Sequence, residues 1–183
     1  MQRSLMKRYL ILATLLMTFV YAKTVKEFYE DGTIKSATTY KDGKKNGVEH
    51  AYYPDGATLR YAKNYEFGKL HGLQQTYSED ALLIQEESYR KGQLDGRSRY
   101  YKDGLLYKEI EYNHGKLDGT YREFYPTGVT KLEIRWDRGR AVEGYIYDEI
   151  GQRTAMRAKE LLRLKPDTFI LSVAPTSNTP SSK

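Results

Sequence analysis

Short segments in the middle of the chain alternate between apolar and polar residues. Counting back in steps of two from one aromatic residue gives Trp136, Ile134, Leu132 and Thr130. The positions between them are mainly polar: Arg135, Glu133, Lys131 and Val129. Successive side chains of a β-strand point to opposite faces. The pattern therefore predicts strands with one aromatic and apolar face and one polar face.

A short sequence phrase recurs along the same region: an aromatic residue, two residues, glycine, three residues, glycine. Its copies begin at Tyr40, Tyr65, Tyr89 and Tyr112, and a degraded copy with one inserted residue begins at Trp136. The successive spacings are 25, 24, 23 and 24 residues. The well-kept glycines are Gly43, Gly47, Gly68, Gly72, Gly92, Gly96, Gly115 and Gly119. A fixed period of this length is typical of stacked copies of one small structural unit.

A second phrase lies midway through each period, for example Tyr52-Tyr53-Pro-Asp-Gly56. In the third copy, Thr76-Tyr77-Ser-Glu-Asp80, we expect Asp80 to take the place of the glycine. Glycine tolerates positive φ, and Asp-Gly clusters favour tight turns. Each repeat is therefore predicted to be two short strands, each closed by a turn.

These residues resemble the MORN repeat in its bacterial variant form, over about residues 25 to 151. The resemblance implies an all-β fold: an elongated, single-layer antiparallel meander of tandem β-hairpins that acts as a scaffold or binding module. It brings no set of catalytic residues. We expect the repeat sheet to span residues 23–151.

The N-terminal 22 residues have the three parts of a secretory signal peptide. Basic residues precede an apolar run from Tyr9 to Tyr21, and Ala22 supplies the small residue at the cleavage position. The run is shorter than the ~20 residues that span a bilayer as a helix. We therefore expect a periplasmic or secreted protein, with an uncleaved N-terminal membrane anchor as the alternative.

The C-terminal region departs from the repeat. Apolar residues recur at helical spacing between Gln152 and Lys165, where Pro166 is expected to end a helix, and residues 168–173 are predicted to form a short strand. We interpret residues 152–173 as a cap for the last repeat, with a partner-binding or membrane-surface helix as the alternative. Residues 174–183 are rich in Pro, Ser and Thr and are predicted to be disordered.

Composition narrows the class of protein. The net charge of +6 falls to +3 without the three basic residues of the leader, which argues against a nucleic-acid binder. The absence of cysteine excludes thiolate catalysis and cysteine-based zinc sites. With 30% charged residues and a mean hydropathy of -0.74, the chain suits a single-layer sheet better than a sandwich.

Two rows of side chains are candidate binding surfaces. The candidate binding face carries Tyr40, Tyr65, Tyr89, Tyr112 and Trp136, spaced ~10 Å apart because each repeat contributes two strands. We expect each ring to pack over a glycine of the adjacent hairpin, with a stacking platform for sugars or an extended peptide as the alternative. The candidate basic row is Lys44, Lys69, Lys116 and Arg140. It is interpreted as a solvated edge, or alternatively as a guide for an anionic polymer or acidic partner.

Catalytic chemistry is not predicted. His50, His71 and His114 have no metal-ligand spacing, so no metal site is expected. Asp95 and Asp118 occupy equivalent places one repeat apart, and their similar environments give no reason for one pKa to rise above the other, as acid–base catalysis requires. We predict a non-enzyme without a cofactor.

The leading hypothesis is an exported scaffold that binds another protein through its sheet. The first alternative is a cell-envelope ligand binder that recognises glycan or anionic lipid headgroups through the two rows. A weaker alternative, which depends on family labels alone, is an antitoxin or immunity-like protein. Nucleic acid is not an expected partner, and the sequence does not indicate an oligomeric state.

Overall fold

The structure is a computed structural model that describes residues 21–170. The predicted leader and the predicted disordered tail lie almost wholly outside this range. The strands are β1 Lys23–Phe28, β2 Ile34–Lys41, β3 Lys44–Tyr52, β4 Leu59–Glu66, β5 Lys69–Leu70, β6 Gly72–Tyr77, β7 Leu83–Arg90, β8 Gln93–Lys102, β9 Leu105–Asn113, β10 Lys116–Phe124, β11 Thr130–Asp137, β12 Arg140–Tyr147 and β13 Arg153–Ala155. Two short helices follow, α1 Ala158–Leu161 and α2 Pro166–Ile170.

All the strands belong to one antiparallel sheet in which each strand pairs with its neighbours in sequence. The only departure is β5, a two-residue strand that pairs with β4 just before the longer β6. No second sheet lies among the described residues. The predicted fold class, a single-layer antiparallel meander followed by short C-terminal helical structure, is confirmed.

The turn after each repeat aromatic contains two residues with positive φ. In the first repeat Lys41 pairs with Lys44 across Asp42 at φ 51° and Gly43 at φ 71°. This is the type I′ geometry that matches the twist of the flanking strands. In the second repeat Phe67 takes the position that Asp42 has in the first, directly before the glycine. Its φ of 49° is a left-handed conformation that favours Gly or Asn over a bulky residue. Phe67 also leaves 69% of its surface exposed.

The second glycine of each repeat lies directly across from the aromatic residue of the next repeat. The pairs are Gly47 with Tyr65, Gly72 with Tyr89, Gly96 with Tyr112, and Gly119 with Trp136. This register places a glycine opposite Tyr65, Tyr89, Tyr112 and Trp136, as packing of each ring over a glycine would require, whereas Tyr40 lies opposite Lys23 and Lys45. Each of these glycines has positive φ, and the strand register shifts near Gly47, Gly96 and Gly119.

Hydrogen bonds between neighbouring repeats occur at both edges of the sheet. At one edge the first glycine donates its N–H to a carbonyl of the preceding repeat, as from Gly68 to Lys45 (2.8 Å) and from Gly92 to Leu70 (2.8 Å). At the other edge the Tyr53 hydroxyl donates to the Tyr77 carbonyl, 24 residues on, at 2.7 Å. The recurring Tyr and Gly residues are therefore explained by the stacking of repeats.

One turn differs from the sequence prediction. Asp80 does not replace the missing glycine, because the left-handed position falls on Ala81, at φ 59°. The Ala81 N–H donates to the Ser78 carbonyl at 3.0 Å, the same bond that Gly32 makes with Tyr29 and Gly56 with Tyr53, so Ala81 occupies the glycine position of the turn. The loss of glycine is accommodated by the left-handed conformation of Ala81, and the sheet continues on both sides.

The C-terminal region also corrects the prediction. Residues 153–155, predicted as helix, form β13, because pairing with β12 satisfies backbone groups at the sheet edge. The helix α1 is only four residues long, and Pro166 begins α2 instead of only ending a helix, as its fixed φ allows. The strand predicted over 168–173 is helical as far as residue 170 and lies outside the described residues beyond it.

Candidate binding surfaces

The two faces of the sheet differ in burial. We call the face that carries Tyr40, Tyr65, Tyr89, Tyr112 and Trp136 the aromatic face, and the opposite one the polar face. Of the buried side chains in the described range, only Glu109 lies on the polar face. The aromatic face therefore holds the core, and its composition changes along the sheet. Its buried side chains are small or polar toward the N-terminus, including Ser36, Thr38 and Glu49, and apolar toward the C-terminus.

The chain's own C-terminal segment covers the aromatic face over its last repeats. Ile110, Tyr121, Ile134 and Trp136 form a buried cluster there, with Met156, Leu164 and Phe169 packed against it. The Phe169 ring meets Tyr121 and Trp136 edge-on, with centroids 4.8 and 5.6 Å apart. The predicted cap thus has two parts: β13 lines the sheet edge, and the helical residues lie on the face.

This cover corrects part of the predicted binding row. Tyr112 and Trp136 retain only 4% and 2% of their surface, so neither presents a ring to a partner in this structure. Tyr40, Tyr65 and Tyr89 are half-buried and keep accessible surface on the same face. A shallow depression lined by Tyr21, Lys23, Val25 and Tyr40 lies at the N-terminal end.

A carboxylate links the tyrosines at the centre of the aromatic face. Glu87 accepts hydrogen bonds from the hydroxyls of Tyr89 (3.0 Å) and Tyr100 (2.9 Å). Burial, and then the charge of Glu87, raise the pKa of Tyr89 and Tyr100 above the ordinary value. The same two causes raise the pKa of Tyr112 to about 12. The tyrosines are therefore neutral hydrogen-bonding groups in the folded protein.

The raised pKa values predict a loss of stability in alkali. A tyrosine whose pKa is higher in the folded state stabilises the fold below its unfolded pKa of about 10, and this contribution is lost as pH rises through the folded value. For Tyr112 the window is pH 10 to about 12 and the loss is of order 2 kcal/mol. Urea unfolding across this range is expected to show a smaller pH slope for Tyr112→Phe than for wild type. Equal slopes for the two proteins would contradict the assignment.

An ion-pair ladder crosses the polar face from β7 to β11. Its members are directly opposed in register and alternate in sign: Glu86, Arg99, Glu109, Arg122 and Glu133. Successive N–O distances are 3.0, 3.0, 3.6 and 2.6 Å. Opposite charges facing each other across strands stabilise a sheet. Because these charges are satisfied within the chain, this part of the polar face is less suited to bind a charged partner.

The predicted basic row is exposed at one edge of the sheet. No ion pair involving Lys44, Lys69, Lys116 or Arg140 occurs within residues 21–170. A Cβ at Gly68 would meet the Lys44 Cβ at 3.7 Å, and one at Gly92 would meet the Lys69 Cβ at the same distance. The aliphatic stems therefore lie along the glycines of the next repeat, which leaves the ammonium groups in solvent.

Other candidate chemistry is engaged in local structure. Asp118 accepts hydrogen bonds from the Asn113 amide (3.0 Å) and the Arg138 N–H (3.3 Å), which lower its pKa. Asp95 lies 3.4 Å from the Arg90 guanidinium. Within the described range no cluster of three or more His, Cys, Asp or Glu side chains could hold a metal ion. That same part of the chain includes no helix with the length and apolarity needed to cross a membrane.

Sequence reasoning missed two surfaces. The ion-pair ladder depends on which residues face each other across neighbouring strands. This register cannot be predicted from the sequence without the shifts near the second glycines. A cap formed by residues 152–173 is predicted, but its position on Trp136 is not, because the sequence pattern predicts a strand at Phe169 where the structure has a helix.

Comparison with known families identifies two of the repeats. Residues 23–42 and 117–137 match the MORN repeat variant model. No curated protein matches the chain. Both matched segments lie in the regular part of the sheet, where paired strands, type I′ turns and inter-repeat hydrogen bonds recur with the same geometry. Two of the repeats in this continuous sheet, at residues 23–42 and 117–137, are therefore MORN repeats of the variant type.

Proposed function

We propose that the chain is an exported, non-enzymatic repeat scaffold that binds a partner protein through the N-terminal half of its aromatic face. One observation supports this site above the others. The C-terminal half of that face is covered by residues 156–169, whereas Tyr40, Tyr65 and Tyr89 keep accessible surface on the same face. Rigid aromatic rings provide large contact areas at protein interfaces.

A matched pair of variants tests the site. Tyr40→Ser with Tyr65→Ser removes two accessible rings, and Glu133→Gln with Arg135→Gln changes the polar face by the same number of residues. Cross-linking in the native envelope fraction is expected to capture a partner with wild type and with the polar-face variant, and to lose it with the aromatic-face variant. Equal capture by all three proteins would place the partner elsewhere. N-terminal sequencing of the protein from that fraction tests export, since cleavage is expected after Ala22.

A second candidate function is supported by the basic row. Four exposed cations without ion pairs in the described range could hold the sheet against an anionic envelope surface. Vesicles of phosphatidylcholine with and without phosphatidylglycerol test this function. Changing Lys44, Lys69, Lys116 and Arg140 to Gln should abolish sedimentation with the anionic vesicles, and unchanged sedimentation would reject it.

A further inference from the structure

The two long edges of the sheet carry opposite charge. We call one the basic edge, formed by the turns and their flanking residues 41–44, 66–69, 90–93, 113–116 and 137–140. The other is the acidic edge, formed by residues 29–33, 53–58, 78–82, 102–105, 125–129 and 148–152. The basic edge has eight Lys and Arg against three carboxylates, and the acidic edge has eight carboxylates against one lysine.

Most of these charged side chains have no ion-pair partner within the described residues. All eight carboxylates of the acidic edge are exposed, and none has an ion pair within residues 21–170. Some accept hydrogen bonds inside their own turns, as Asp31 does from Thr33 and Asp55 from Thr58. Two cations that flank this edge, Lys35 and Arg60, lie over the rings of Tyr29 and Tyr53. Among the Lys and Arg residues of the basic edge, only Arg90 and Arg138 have carboxylate partners within 4 Å in the described range.

The charges of the two edges share one spacing. Each repeat places one turn on each edge, so turns recur about every 10 Å along both. A second copy moved sideways by one sheet width would therefore bring acidic turns against basic turns along most of the length, since of the acidic-edge turns only residues 125–129 have no carboxylate. An unrelated anionic surface would match the basic edge alone.

Apolar side chains project at both edges as well. Phe67 on the basic edge is 69% exposed, and it holds a positive φ that favours Gly or Asn. On the acidic edge Leu82, Leu105 and Ile150 are 44%, 51% and 80% exposed. A strained, exposed aromatic residue indicates a role at the surface beyond closing its turn.

We propose that the chain associates side by side with further copies of itself, the basic edge of one copy against the acidic edge of the next. The contact is heterologous, since two different surfaces meet. Each added copy leaves one free edge of each sign, so growth does not stop at a dimer. The association depends on ionic strength, because exposed charges are screened by salt.

Charge reversal of each edge tests the proposal with the full chain. The basic-edge variant changes Lys44, Lys69, Lys116 and Arg140 to Glu. The matched acidic-edge variant changes Glu30, Glu79, Asp80 and Glu149 to Lys. All these residues are exposed, and far-UV circular dichroism verifies that both variants fold. The apolar N-terminal run is common to all proteins, so association that it causes is unaffected by either reversal.

Sedimentation velocity gives the expected results. Wild type should increase in mass with concentration at about 0.01 M salt and return to monomer at about 1 M, where the screening length falls from about 30 to 3 Å. Each reversed variant should stay monomeric alone, and an equimolar mixture of the two should associate again. Phe67→Asn should weaken wild-type association severalfold while raising the melting temperature, because the turn strain is relieved.

Several results would overturn the proposal. A monomeric wild type at low salt, or a mixture of reversed variants that stays monomeric, excludes pairing of the two edges. If both reversed variants still associate when tested alone, another surface causes the association. If wild type is monomeric but binds phosphatidylglycerol vesicles through the basic edge, that edge serves an anionic surface instead.

Discussion

Trp136→Ala is expected to lower the free energy of unfolding by about 3–5 kcal/mol, as is usual when a large buried aromatic residue is truncated. Trp136 is 2% exposed and lies under Phe169 in the cluster with Tyr121 and Ile134. Domains of this size are stabilised by only about 5–15 kcal/mol, so much of the population should lose its C-terminal repeats. Urea unfolding should be followed by far-UV circular dichroism, because Trp136 is the only tryptophan.

The matched control is Tyr40→Ala, which removes the equivalent ring of the first repeat. Tyr40 is half-buried and lies on the part of the face without the helical cover, so we expect a loss of about 1 kcal/mol. If the two variants lost similar amounts of unfolding free energy, the rings of the aromatic row would contribute equally to stability, and the C-terminal cover would add none.

Gly119→Ala is expected to have the second large effect and to lower the free energy of unfolding by about 2–4 kcal/mol. Gly119 has φ 119°, which side chains rarely adopt, and a Cβ there would lie 2.8 Å from the Glu111 Cβ. The Glu111 carboxylate would have to move, although it accepts hydrogen bonds from the Thr120 N–H (2.8 Å) and from Arg97 (3.0 Å). Partial burial opposes ionisation of Glu111, but these two donors lower its pKa overall. Thermal unfolding measures the loss.

Gly104→Ala separates backbone strain from the close contact. Gly104 has φ 76° and no atom within 4 Å of its Cβ position, so only strain of about 1–2 kcal/mol is expected. If both substitutions reduced stability equally, the contact with Glu111 would add nothing. The importance of the second glycine would then depend on φ alone.

The repeats and the meander could be predicted from the sequence because each signal is local. An aromatic residue three places before a glycine fixes a two-residue turn, and five copies at one period leave few alternative topologies. The third copy shows the limit of this reasoning. With no glycine in that turn, Asp80 and Ala81 are both candidates for the left-handed position, and only the pairing of the flanking strands selects Ala81.

The candidate surfaces were less predictable because they depend on contacts between distant segments. Identical places in the repeat predict five similar rings, yet Trp136 is buried and Tyr40 is not, since residues 156–169 reach only one end of the face. The sequence pattern at the C-terminus predicts one helix over residues 152–165. In the structure Arg153–Ala155 pair with β12 at the edge of the sheet instead, so the helix is shorter than predicted.

The uneven core has a consequence for synthesis. Ribosomes deliver β1 first, and the early repeats bury mainly small and polar groups such as Ser36, Thr38 and Glu49. The apolar cluster with Ile134 and Trp136 is complete only when Phe169 has emerged. A nascent chain with this order is expected to remain unfolded until translation is nearly finished, because its stabilising end is made last.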